Sequence, residues 1–221
     1  MVLLALLMAL TWRQVDHWRN RLFLFEHAAQ VTENNYIAYS ILISEYDKQN
    51  DFDQALAMFH KAIELRPLFP NPYNEIGIVY NKQGNYERAV ESLKKAININ
   101  PNEPVFYNNL GKSYAEYGKI DEAITMYRKA IQLRPDYADA YNNLGIDLGR
   151  QGKLEEAVAA LKKAIEINSA FSEAYCNLGI AYKQQGKINE AKDMLQRAVS
   201  INPKNTGAKK LLDLVNVNSR N

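Results

Sequence analysis

Apolar and small residues recur along this chain at spacings of three and four, with polar residues between them. Over residues 104–117, Tyr107, Leu110, Gly111 and Tyr114 share one face of a helix of 3.6 residues per turn. Over 121–133, Ala123, Tyr127 and Ala130 form a second such stripe. Gly118-Lys119 separates the two, since glycine adopts the left-handed backbone that ends helices. Pro135 stops the second stripe. The pattern predicts two helices joined by a tight turn. It then repeats, with Tyr73, Ile76, Gly77, Tyr80, Gly84, Ala89, Leu93, Ala96 and Pro101 one period earlier. Pro67, Pro101, Pro135 and Pro203 fall on a 34-residue grid whose missing slot is Ser169. A fixed period of this size predicts a solenoid, in which each unit buries its apolar face against its neighbours.

These residues resemble the tetratricopeptide repeat family: aromatic, leucine, glycine and tyrosine, then alanine, a large apolar residue, alanine and proline. The resemblance implies an all-α, right-handed solenoid of five helix-turn-helix units at 36–69, 70–103, 104–137, 138–171 and 172–205. Residues 206–221 read as a C-terminal capping helix and tail. Residues 20–35 read as an N-terminal capping helix, because Phe25 and Ala28 precede Phe59 and Ala62 by one period. Gly77, Gly111, Gly145 and Gly179 sit inside first helices, where glycine costs about 1 kcal/mol against alanine. A recurrent cost at one phase predicts a close helix contact, with Ala55, Ala89, Ala123, Ala157 and Ala191 as the matching spots. Three departures stand out: Ile43 for glycine, Leu148 for tyrosine, and Ser169 for proline. The last predicts the softest junction of the stack.

Composition narrows function mainly by exclusion. A formal charge of +2 gives no general electrostatic case for nucleic acid. Nine of the fourteen tyrosines occupy the two aromatic repeat positions (Tyr39, Tyr73, Tyr107, Tyr141, Tyr175, Tyr46, Tyr80, Tyr114, Tyr182), which predicts core packing rather than base stacking. Cys176 is alone, and histidines occur only at 17, 27 and 60, so no internal disulfide and no ligand set at metal spacing is present. No phosphate-cradling glycine loop or nucleophile motif is found. The sequence therefore points away from an enzyme, a cofactor or a metal.

The N-terminus adds a separate signal. Met1 to Leu10 is wholly apolar, and Trp12, Arg13, Trp18, Arg19 and Arg21 follow as in a membrane-interface flank. Ten residues rise only about 15 Å as a helix, half of a hydrocarbon core. Residues 1–19 thus read as the end of a transmembrane helix whose start is missing, or as a short apolar cap. Residues 12–36 (Trp12, Arg13, Trp18, Leu24-Phe25, His27-Ala28 and Thr32 to Tyr36) also resemble the tail of multi-pass membrane proteins akin to transmembrane and tetratricopeptide-repeat O-mannosyltransferases. That resemblance implies an accessory tail presenting substrate to a catalytic part outside this chain, on the lumenal or periplasmic side. The arginines favour the opposite side under the positive-inside rule. A membrane location of either sidedness and a cytoplasmic one both stay open.

In the family, first helices line the concave wall. The residues after the first-helix aromatic are Asn74, Asn108, Asn109, Asn142, Asn143 and Asn177, a series of amides at one-repeat intervals with Lys112 nearby. Amides both donate and accept, so such a row can hold an extended peptide backbone without demanding a sequence. Related arrays in glycan-adding enzymes use such a ladder on substrate chains. A clamp for a C-terminal carboxylate needs paired basic residues, and Ile78 and Ile146 flank the single Lys112. The expected function is a non-catalytic scaffold binding protein or extended peptide in the groove, with membrane contact through residues 1–21.

Overall fold

The structure is a computed structural model that describes residues 24–28 and 36–218. Among the described residues every regular element is an α-helix: α1 (Tyr36–Lys48), α2 (Phe52–Leu65), α3 (Pro70–Lys82), α4 (Tyr86–Ile99), α5 (Pro104–Glu116), α6 (Ile120–Leu133), α7 (Ala138–Arg150), α8 (Leu154–Ile167), α9 (Ser172–Gln184), α10 (Ile188–Ile201) and α11 (Thr206–Asn218). The chain divides into two compact units, 1–99 and 100–221.

Local chemistry sets the element ends. Gly84, Gly118, Gly152 and Gly186 close the first helices at φ between 73° and 81°. In the first pair Asn50 takes this role at φ 57°, a conformation asparagine tolerates better than most residues. Asn85 N–H then reaches back to Tyr80 O at 2.8 Å, completing a Schellman closure.

In the first unit α1 packs on α2, α2 on α3, and α3 on α4. Residues 24–28 are helical, and Phe25 packs against Leu42, Tyr46 and Ala55. Tyr46 Oη donates to Glu26, and burial together with that carboxylate pushes the phenol up to about 12. Ile43 faces the other way, onto the cluster of Phe59, Ile76 and Val79. Among the described residues, Phe59 of its own repeat and Ile76 and Val79 of the second therefore cover it.

In the second unit each helix packs on the next from α5 to α11, and the first helices also touch in series, α5 with α7 and α7 with α9. α11 closes the end by burying Ala208 and Val215 beside Tyr175, Leu195 and Ala198.

The inner glycines have a sharper cause than an alanine-to-glycine match. A Cβ on Gly77, Gly145 or Gly179 would stand 2.6, 2.6 and 2.8 Å from Cγ of Leu93, Leu161 and Leu195, and one on Gly111 would stand 2.5 Å from the Tyr127 ring. The alanines contribute through their backbone, with Ala157 O and Ala191 O at 3.1 and 3.2 Å from the Gly145 and Gly179 positions. The glycine mainly makes room for the large residue one helical turn beyond the alanine.

Core packing of the repeat-position tyrosines is met in part, with Tyr80, Tyr114 and Tyr182 packed on apolar clusters. Of the nine repeat-position tyrosines only Tyr46 and Tyr175 are fully buried. The others lie half-buried at the seams, where Tyr73 and Tyr107 Oη donate to the carbonyls of Pro67 and Pro101 at 3.1 and 3.0 Å. Their hydroxyls stay within reach of polar partners, which a fully buried ring would forfeit. The turn at Ser169 also keeps the shape of its relatives. Ala170 N–H donates to Asn168 Oδ1 at 3.1 Å, as Asn102 and Lys204 do to Asn100 and Asn202 in the proline-bearing turns.

Residues 1–19, with the apolar run and its tryptophan-arginine flank, lie outside the described residues. No described helix is long and apolar enough to cross a membrane.

Candidate functional site

The amide series divides into two by helical phase. Adjacent residues on a helix point about 100° apart, so neighbouring asparagines face different surroundings. Asn74, Asn108 and Asn142, directly after the aromatic, are 4, 4 and 6% exposed. Asn109, Asn143 and Asn177, one residue on, are half-buried, and Lys112 is exposed.

In the second unit the two sets join across repeats. Asn143 Nδ2 on α7 donates to Asn108 Oδ1 on α5 at 3.0 Å. Asn177 Nδ2 on α9 donates to Asn142 Oδ1 on α7 at 2.9 Å. A buried amide oxygen without a partner would cost about 1–3 kcal/mol, so each of these bonds both satisfies an inner amide and fixes the outer one. Asn143 and Asn177 each spend one N–H in these bonds, and an amide carries a second N–H and an oxygen besides. The sequence series thus becomes an inner row that positions and an outer row that presents.

In the first unit Asn74 Nδ2 donates to Glu75 Oε1 at 3.0 Å. Glu75 holds the outer position there, so the amide series changes to a carboxylate. In the fifth repeat Cys176 replaces the inner asparagine. It is buried, and burial pushes its thiol up, so it remains a weak, neutral group. A thiol cannot accept as an amide oxygen does, and the inner row ends there.

Asp147 on α7 is a functional-looking residue that repeat reading passes over. It is 1% exposed at a position where the other repeats carry Glu45, Val79, Ser113 and Ala181, and Glu45 is only half-buried. Its Oδ1 accepts from Arg150 Nη1 at 2.9 Å, while Oδ2 takes no hydrogen bond. Desolvation pushes the carboxyl up, and the Arg150 charge partly restrains the shift. Across the seam stands Tyr127, whose phenol is also pushed up, first by burial and then by the Asp147 charge. The signal in the sequence is an acid in a column that otherwise holds Glu45, Val79, Ser113 and Ala181, so only the first repeat shares it. Among the described residues no cluster of three His, Cys, Asp or Glu side chains is placed to hold a metal ion.

Comparison with known proteins places this architecture. The TPR repeat profile matches residues 44–84, 79–118, 113–146 and 148–186, and the tetratricopeptide repeat profile matches 172–205. The chain belongs to the tetratricopeptide repeat family, a class of helical solenoids that bind proteins and peptides.

Among solved structures, the chain is similar to the MamA protein at 28% identity, covering 78% of this chain and 94% of that one, with a TM-score of 0.63. It shares its fold with YrrB, described as a TPR protein with an unusual peptide-binding site, at 24% identity, 85% and 96% coverage and a TM-score of 0.61. It also shares its fold with TTC0263 of Thermus thermophilus, at 21% identity, 80% and 96% coverage and a TM-score of 0.68. A search of the curated proteins gives no match. No comparison supports the resemblance of the N-terminal flank to glycosyltransferase tails.

Proposed function

We propose that this protein is a non-catalytic scaffold that holds an extended polypeptide along the first helices of its repeats. The observation that supports it most is the pair of cross-repeat bonds, Asn143 to Asn108 and Asn177 to Asn142. They align half-buried amides at one-repeat intervals and prevent them from turning inward. An extended chain offers alternating donors and acceptors, which a row of amides can match without reading side chains. Asn109, Asn143 and Asn177 are the presenting residues of this reading, and Lys112 adds one positive charge beside them. Asn108 and Asn142 are positioning residues, and Asn74 continues their column in the first unit. A tether through residues 1–21 belongs to the proposal on the apolar-aromatic-basic sequence of that segment.

Peptides selected from a displayed random library against the full chain provide the test. Selected peptides should bind about as well after side-chain scrambling, and the combination Asn109→Ala, Asn143→Ala and Asn177→Ala should weaken them by about tenfold or more. The melting temperature should fall, because Asn143→Ala and Asn177→Ala leave the buried Oδ1 of Asn108 and Asn142 without donors. Binding is therefore compared at a temperature where circular dichroism shows both proteins folded. Undiminished binding to the triple variant overturns the ladder as the contact surface.

A further inference from the structure

A second feature lies in the first unit, on elements other than the ladder. Between α2 and the α3–α4 pair is an open cavity of about 380 Å³. Ile63 and Ile76 supply its apolar lining, Tyr80 an aromatic wall, and His60, Arg88 and Lys95 its basic groups.

The corresponding seams of the second unit show what is unusual here. Residues 28 apart in sequence meet across a seam, as Arg128 and Glu156 do at 3.4 Å. The next seam carries Lys162 and Glu190 at the same two places, again base then acid. At the first seam those places hold His60 and Arg88. The acid is replaced by a guanidinium, which only the more distant Glu91 carboxylate and the Tyr80 ring face. Glu91, also on the cavity wall, is committed to Lys95 at 2.8 Å. Arg88 makes no ion pair among the described residues, and its guanidinium carbon stands 5.7 Å from the centre of the Tyr80 ring.

We propose that this cavity binds the carboxylate side chain of an acidic peptide segment, with Arg88 forking onto the two oxygens and a neighbouring apolar residue of the peptide packed on Ile63 and Tyr80. In the second unit the same two places hold a guanidinium and a carboxylate, Arg128 and Glu156, so a peptide carboxylate on Arg88 would restore a base–acid pair at the first seam. A planar carboxylate matches the guanidinium fork, and Ser92 and His60 on the cavity wall can add hydrogen bonds. Glu91 sets the charge of the guest. A doubly charged phosphate would meet its repulsion twice over, whereas a single carboxylate leaves the cavity near neutrality. This site is independent of the amide ladder.

Amide chemical shifts of the full chain, titrated with a terminally blocked peptide of alternating leucine and glutamate, test the proposal. Saturable shifts at Arg88 and Ser92 are expected, weakening as salt is raised. The matched leucine-glutamine peptide should bind about tenfold more weakly. Arg88→Glu installs the residue type that Glu156 and Glu190 already represent, so the fold should persist while affinity falls by about tenfold or more. Arg88→Gln gives the same reading without a new charge. Asn143→Ala with Asn177→Ala should leave these shifts intact. Equal binding of the glutamine peptide, no saturable shift at Arg88 and Ser92, or indifference to both Arg88 variants overturns the proposal. Binding of a phosphoserine peptide in place of the glutamate peptide overturns the carboxylate assignment.

Discussion

The seam between α2 and α3–α4 in the first unit and the seam between α6 and α7–α8 in the second use the same residue positions for opposite ends. In the first, Phe59 meets Val79 within an apolar cluster, and Arg88 is left without an ionic partner. In the second, Tyr127 meets Asp147, Arg150 bonds Asp147, and Arg128 bonds Glu156. One seam keeps its interior apolar and its rim charge open. The other carries polarity into the interior and satisfies its rim internally. The inner glycine, the alanine after the turn and the large residue one turn later fix the shared backbone. The remaining positions then vary without disturbing it, so each seam carries its own electrostatics.

The most severe test exchanges the interiors. Val79→Asp would put a carboxylate against Phe59 and Ile76, with Lys82, in the column of Arg150, as the cation three residues on. A buried charge without a matched partner costs about 3–5 kcal/mol, so urea unfolding should lose much of the stability of the first unit. A loss below about 1 kcal/mol would show that the seams are interchangeable and that the Asp147 arrangement is nothing special.

Next in size is Gly111→Ala. The added Cβ would stand 2.5 Å from Cε1 of Tyr127, a buried ring with little freedom to move. Overpacking of this kind costs about 1–3 kcal/mol, offset in part by better helix propensity. Thermal melting of the variant reads the balance directly. A melt at or above the wild-type temperature would mean that Tyr127 can shift, and that the glycine serves something other than this contact.

A subtler effect separates the seams by pH. Burial holds the Asp147 carboxyl above its unfolded value. In the interval between the two values the folded state binds the extra proton, so stability falls as pH rises through that interval. The contribution is fully present below the unfolded carboxyl range and is lost above the folded one. Asp147→Asn should remove that slope from a series of melts across the acidic range. Glu45, Val79, Ser113 and Ala181 stand at the equivalent positions of the other repeats, so no other seam is expected to reproduce it through a buried carboxylate. An unchanged slope in Asp147→Asn would assign the pH response to other carboxyls.

What the sequence makes legible follows from the range of the interactions. Helix limits, the left-handed closures at Gly84 and its relatives and the solenoid period depend on neighbours within a turn or two, so the repeat pattern displays them. The division of the asparagines into inner and outer rows depends on a one-residue change of helical phase and on bonds between residues 35 apart. The pattern puts all of them on first helices without saying which are buried. Asp147 and Arg88 are visible as anomalies in their columns, but their meaning depends on Tyr127 and His60 across the seam. Those pairings emerge only when two repeats are placed side by side.

The smallest expected effect bears on the premise that the seams share one backbone. Ser169 stands where four sibling turns carry proline, yet Asn168 forms the same side-chain turn as Asn100 and Asn202. Asn168 has φ −131° and ψ 93°, an extended conformation suited to a residue before proline. Among the described residues Ser169 N–H donates no backbone bond, so the ring would displace nothing. Ser169→Pro should therefore stabilise the chain by about 0.4–1 kcal/mol, chiefly by restricting the unfolded state. Hydrogen exchange at the start of α9 should slow in the same proportion. A destabilised variant would mean that this turn differs from its relatives after all, and that the seam between α8 and α9 departs in backbone as well as in side chains.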